Sequence, residues 1–266
     1  MAEFVFDANE APVIRIEHCE DLRIEGRPES QIQVIVDIDE GDDGTSAPTF
    51  SDNQLKIGRL HESIQLFVPL GASVHVEEVE GDASVLRIAE LRIDDLAGDL
   101  RAGEISRSLS VNGIGGDASV TQAGAVSIDS VGGDFRVGEV AGAVSVDSVG
   151  GDLRALNLAS LSVDSVGGDM RAEDVRGALS VGSVGGDAVL KGSLEGIAAM
   201  HVGGDLKLAT QWVADRDYRV TVGGDAIITV DEGASLVLSA TVGGDVAGVP
   251  GAGEGPGVIS ASWGEG

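Results

Sequence analysis

From residue 71 onward, aliphatic and polar residues alternate in short runs, and the pattern recurs at a fixed interval marked by Gly-Asp. The aspartates are Asp82, Asp99, Asp117, Asp134, Asp152, Asp169, Asp187, Asp205, Asp225 and Asp245, spaced by 17, 18, 17, 18, 17, 18, 18, 20 and 20 residues. From Asp117 onward the motif is always Gly-Gly-Asp. Three residues before each aspartate sits an aliphatic residue, from Val79 and Leu96 through Val131, Val149 and Val166 to Val242. The residue after it is also apolar: Ala83, Leu100, Ala118, Phe135, Leu153, Met170, Ala188, Leu206, Ala226 and Val246. Eight before it the column runs from Val74 to Ile197, and six before it from Val76 to Val181, with Ser110, Ser127, Ser145, Ser162 and Ser180 between them. Period-two alternation of β-branched residues predicts short strands with one buried face, and the glycine pairs exclude a helix.

Identical columns in successive repeats require that equivalent residues stack. The predicted fold is therefore all-β: a single-stranded parallel β-solenoid, or β-helix, of about ten coils of 17–20 residues, with coils pairing in parallel. Gly116-Asp117, Gly133-Asp134, Gly151-Asp152, Gly168-Asp169 and Gly186-Asp187 are assigned as structural turns. Their glycines are expected to give a corner with positive φ, and their aspartates to accept hydrogen bonds from turn N–H groups.

The ends differ from the middle. Residues 1–70 contain strand-like runs (Phe4-Val5-Phe6, Val13 to Ile16, Ile32 to Ile38, Ile64 to Val68) and are expected to form irregular first coils capping the solenoid edge. The repeat occupies residues 71–247, and residues 248–266 form a Gly/Pro linker and an apolar segment, Val258 to Trp263. Toward the C-terminus the copies degrade, with Asp217 and Arg219 falling where core residues are expected and Trp212 and Tyr218 appearing nearby. Val258, Ile259 and Trp263 either add to the sheet edge of a neighbouring copy or fold back on the chain's own last coil.

Composition narrows the function classes. The formal net charge of −28 repels phosphate backbones, so no nucleic-acid partner is expected. With 42% hydrophobic residues the chain is too apolar for a disordered acidic tail. No apolar run reaches a membrane span, and the first residues lack the form of a signal peptide. The expected location is cytoplasmic, with surface or secreted placement as the alternative if a leader was removed. The single cysteine, Cys19, forms no intrachain disulfide framework.

The phrase Asp21-Leu22-Arg23-Ile24-Glu25-Gly26, then Ile32-Gln33-Val34, then Ile64 to Leu70, stands before the Gly-Asp ladder. That order resembles the bacterial putative-adhesin family of β-strand-repeat proteins, a class of domains of unknown function, over residues 4–246. The resemblance implies a β-solenoid and little about activity. In architecture, though not in motifs, the chain is also distantly similar to bactofilins, cytoplasmic β-solenoids that polymerise end to end.

The aspartate ladder invites a calcium reading, but calcium-binding Gly-rich repeats use Gly-Gly-x-Gly-x-Asp and the second half of that pattern is missing. A turn cap is the preferred reading, and no metal or cofactor is assigned. Two further columns, Glu77, Asp94, Asn112, Asp129, Asp147 and Asp164, and Arg101, Arg136, Arg154, Arg171 and Lys207, are expected to face solvent. They either discourage aggregation or let solenoids associate side by side. No catalytic motif occurs, and His18, His61, His75 and His201 are scattered along the sequence. The expected function is non-enzymatic: a structural β-solenoid that self-associates into a homo-oligomer or filament through its ends and its C-terminal segment. The alternative is an adhesin-like binding module displaying ladder faces to a protein or glycan.

Overall fold

The computed structural model describes residues 1–36, 47–193, 200–211, 216–229, 236–248 and 257–263; Ile197, Trp212 and most of the linker lie outside them. Every regular element among the described residues is a strand, and the coils stack in parallel as a β-solenoid. The chain forms two compact units, Met1–Gly132 and Gly133–Gly266.

In the second unit the predicted stacking is visible residue by residue. Val149, Val166, Val184, Val202, Val222 and Val242 pair in parallel register, each with the next. On the strand after the corner, Phe135, Leu153, Met170 and Ala188 do the same. The coil starting at Asp152 sends six side chains inward, Leu153, Ala155, Leu158, Leu161, Val163 and Val166, all at most 2% exposed. Valine stacks on valine in the first column, and in the second Met170 and Leu206 flank the small Ala188, so a narrow interior fills without many aromatics.

The first unit carries the same ladder through Cys19, Val79, Leu96, Ile114 and Val131. Its coils do not stack in chain order. The coil made by Val13–Cys19 and Leu22–Arg27 lies between two others. On one side it pairs with Gln54–Arg59 and Ile64–Pro69. On the other it pairs with Ser73–Val79 and Ala83–Leu86. The chain steps over it at Gly71, where a Cβ would lie 2.3 Å from the Glu10 carbonyl oxygen. The outermost coil is then covered by antiparallel strands, Gln31–Val36 on Ile64–Pro69 and Thr49–Ser51 on Gln54–Arg59, and Ala2–Asp7 pairs with Gln31–Val36.

Two expectations about backbone shape are corrected. First, the Gly-Gly corners do not use positive φ: among the described glycines only Gly248 has it. The glycines are required because coils approach closely. A Cβ on Gly185 would sit 2.3 Å from the Gly167 carbonyl oxygen, and one on Gly186 would sit 2.1 Å from Asp169 Oδ1. Six left-handed residues lie at a second bend, five after the corner aspartates from Asp82 to Asp169: Arg87, Glu104, Gln122, Glu139, Asn157 and Asp174, with φ of 54–60°. Such a residue shifts the alternation, so that Ala155 and Leu158, three apart, both point inward. Second, Arg219 is not a core residue. In the last coils the strand alternates without a break, so Tyr218, Val220 and Val222 are buried and Arg219 faces solvent.

Gly185→Ala is expected to lower stability by about 1–3 kcal/mol, since backbone must move to admit the methyl. At Gly138 the nearest atom to an added Cβ is 3.5 Å away, so Gly138→Ala should stay within about 1 kcal/mol of the parent. Denaturant unfolding of the two variants checks the contrast.

Candidate functional site

The predicted corner aspartates meet in one column in each unit. Their side chains bridge coils: within each unit an aspartate Oδ1 accepts the backbone N–H of the aspartate one coil further on. In the first unit Asp21, Asp82 and Asp99 accept from Asp82, Asp99 and Asp117, each at 2.9 Å. In the second, Asp134 accepts from Asp152 at 3.0 Å, and the chain continues at 2.8 Å through Asp169, Asp187, Asp205, Asp225 and Asp245. The glycine before each aspartate leaves room for this carboxylate. Asp21 heads the ladder, although its corner, Cys19-Glu20-Asp21-Leu22, lacks the glycine. A signal for it exists: Asp21-Leu22-Arg23 repeats the triplets at Asp99 and Asp152.

With Oδ1 committed to an N–H, one oxygen per aspartate is left, and in two cases arginine takes it. Arg101 donates to Asp99 Oδ2 at 3.4 Å and Arg136 to Asp134 Oδ2 at 3.2 Å. Calcium needs six to eight oxygens at close range, so the geometry is that of a cap. The basic column lies beside the ladder: Arg136, Arg154 and Arg171 stack in register and with Asp134, Asp152 and Asp169 line a shallow groove of about 380 Å³. Exposed pairs of this kind are worth at most about 1 kcal/mol each.

The acidic column lies on the other strand of the coil and is exposed at Glu77, Asn112, Asp129, Asp147 and Asp164. Asp94 is half-buried. Desolvation acts to raise its pKa, but hydrogen bonds from His75 (3.0 Å) and Arg92 outweigh it and hold the carboxyl below its ordinary range.

Cys19 is fully buried in the aliphatic ladder. Burial, with the nearby Asp21 charge, pushes its thiol up to about 12, so it stays protonated and unreactive. His18, next to it, is also buried, not on an outer face. The structure brings His18 and His61 together, with ring centroids 5.2 Å apart, which no local pattern announces. The strand Gly257–Trp263 pairs antiparallel with Leu236–Val242 of its own chain; the side chains of Val258, Ile259 and Trp263 lie outside the described ones.

No family model matches this chain, and no curated protein does. Among solved structures it is similar to a putative adhesin from Parabacteroides merdae, at 12% identity, covering 93% of this chain and 95% of that one, with a TM-score of 0.27. So distant a likeness carries no functional argument, and the fold assignment stands on the strand registers. No described helix is long and apolar enough to cross a membrane.

Asp169→Ala is expected to destabilise by about 1 kcal/mol, because the Asp187 N–H loses its acceptor, whereas Asp169→Asn keeps an oxygen there and costs less. Thermal unfolding at neutral pH separates them. Asp94, with its lowered pKa, stabilises the fold above the ordinary carboxyl value of 3.8. That stabilisation is lost as pH falls through the lowered value. In acid titrations Asp94→Asn should flatten that part of the unfolding curve.

Proposed function

We propose that this chain acts without catalysis, as a β-solenoid scaffold whose solvent-facing columns are displayed to a macromolecular partner, a protein or a glycan. The observation that carries this reading is the covering of the end coils by the chain's own antiparallel strands. Gln31–Val36 and Thr49–Ser51 lie on the outermost N-terminal coil, and Gly257–Trp263 lies on Leu236–Val242 of the last C-terminal coil. Bare parallel edges are what drive end-to-end polymerisation, and here Gln54–Arg59, Ile64–Pro69 and Leu236–Val242 are already paired on that side. The lateral columns of serine, aspartate and arginine remain available, and they supply hydrogen-bonding and charged groups at a regular spacing. This reading fits the adhesin-like character that the sequence resembles.

Self-association is the second reading. It is favoured by the cap strand Ala2–Asp7, which among the described residues pairs along one edge only, with Gln31–Val36. Its neighbour Met1 is 84% exposed and Val5 is 55% exposed. A second copy could add to this edge and build a homo-oligomer or filament.

Removal of residues 248–266 distinguishes the two. On the display reading the full chain is a 27.0 kDa monomer, and the truncated chain, with the Leu236–Val242 edge uncovered, self-associates and melts earlier. On the assembly reading the full chain forms oligomers or filaments, and truncation leaves them in place because the Ala2–Asp7 edge is untouched. Light scattering coupled to size exclusion, with electron microscopy of the same samples, reads the outcome.

A further inference from the structure

We infer that His18, His61 and Glu80 form a binding site for one divalent transition-metal ion of the zinc type. Their ligating atoms all lie within 4.8 Å of one another. They come from three coils adjacent in space. His61 sits in the link between Gln54–Arg59 and Ile64–Pro69, His18 near the end of Val13–Cys19, and Glu80 in the corner after Ser73–Val79. Backbone hydrogen bonds pin these segments together: Leu60 N–H to the His18 carbonyl (3.0 Å), Glu20 N–H to that of Glu62 (3.2 Å) and Glu80 N–H to that of Cys19 (3.0 Å).

His18 supplies the argument. It is 2% exposed, the one polar residue among the buried side chains described. Its Nδ1 lies 2.8 Å from the Leu60 carbonyl oxygen. A carbonyl only accepts, so Nδ1 carries the hydrogen and the neutral ring keeps its lone pair on Nε2. That lone pair faces Glu80 Oε1 at 3.1 Å. Two acceptors at this distance need a positive centre between them, either a proton or a metal ion. An imidazole that donates its far N–H to a backbone carbonyl is the usual support of a metal-ligating histidine. The link that carries His61 also holds Glu62, whose Oε2 is buried without a hydrogen-bond partner.

The site has one anchored ligand at its floor and two adjustable ones at its rim. His61 is exposed, and the Glu80 side chain is 58% exposed. Ligands around tetrahedral zinc stand about 3.4 Å apart, given metal–ligand bonds of about 2.0–2.1 Å. The rim side chains reach that spacing by moving about 1 Å from separations of at most 4.8 Å. Two imidazoles and one carboxylate suit zinc and its neighbours in the transition series, and they suit calcium and magnesium poorly. The remaining position faces solvent and takes water.

The test titrates the full chain with zinc chloride, by calorimetry and by thermal unfolding, with calcium chloride as the comparison. His61→Ala and Glu80→Gln are solvent-facing changes, and circular dichroism checks that both variants keep the strand signature. The expected result is one zinc ion per chain and a raised melting temperature, since a ligand that binds only the folded form stabilises it. Each variant should weaken binding by at least about tenfold. Absence of zinc binding by the parent chain would overturn the inference and leave a plain imidazolium–glutamate pair. Equal affinity in the double variant, or calcium binding as tightly as zinc, would also overturn it by placing the ion on the carboxylate columns.

Discussion

The fold depends on one constraint, the close in-register approach of successive coils at the Gly-Asp corner. At the usual inter-strand spacing of about 4.8 Å, the corner backbones nearly touch. A methyl group at Gly185 would overlap the carbonyl of the coil before it. The aspartate uses the same proximity, passing its Oδ1 to the next coil's amide at 2.8–3.0 Å. Register at the corner fixes register along both flanking strands, because a slip by one residue would turn every inward side chain outward. The valine ladder from Val149 to Val242 follows from that corner as much as from its own apolar character.

Stacking like residues has an electrostatic cost, since a column of aspartates brings like charges within about 5 Å, worth roughly 1 kcal/mol per neighbour in water. Two features offset it. The carboxylates from Asp134 to Asp225 each accept a backbone N–H, and arginines two residues on face the remaining oxygens at Asp99 and Asp134. Arg101 and Arg136 therefore neutralise the ladder locally and leave the acidic column of the other strand as a separate charged face. Faces of fixed pitch and fixed chemistry are what a display scaffold needs, and they arise here from the requirement that coils repeat.

The edges obey a different rule. Parallel coils cannot end without exposing unpaired backbone, and at both edges this chain reverses direction and lays an antiparallel strand on the last coil. At the N-terminal edge the solution is more elaborate. The coil at residues 13–27 is wound first, but residues 54–69 are then placed outside it and residues 73–86 inside it. This order brings His18, His61 and Glu80 to one corner, although 62 residues separate the first from the last.

Much was legible in the sequence because a solenoid writes its geometry into a period. Gly-Asp spacing, the valine column and the residue after the aspartate together specify the coil, its corner and most of its core. The second bend was not legible, since the left-handed positions carry Arg87, Glu104, Gln122, Glu139, Asn157 and Asp174, which share polarity but no side-chain type. The role of the glycines is hidden in the sequence for a related reason. A sequence shows that a Cβ is excluded but not whether torsion or a neighbouring chain excludes it, and only the stacked coils identify the neighbour. The order of the first coils and the meeting of two histidines belong to tertiary structure alone. Local pattern says that a strand has an inward face; which strands lie on either side of it is decided by how the chain closes an edge, a choice made between segments far apart in sequence.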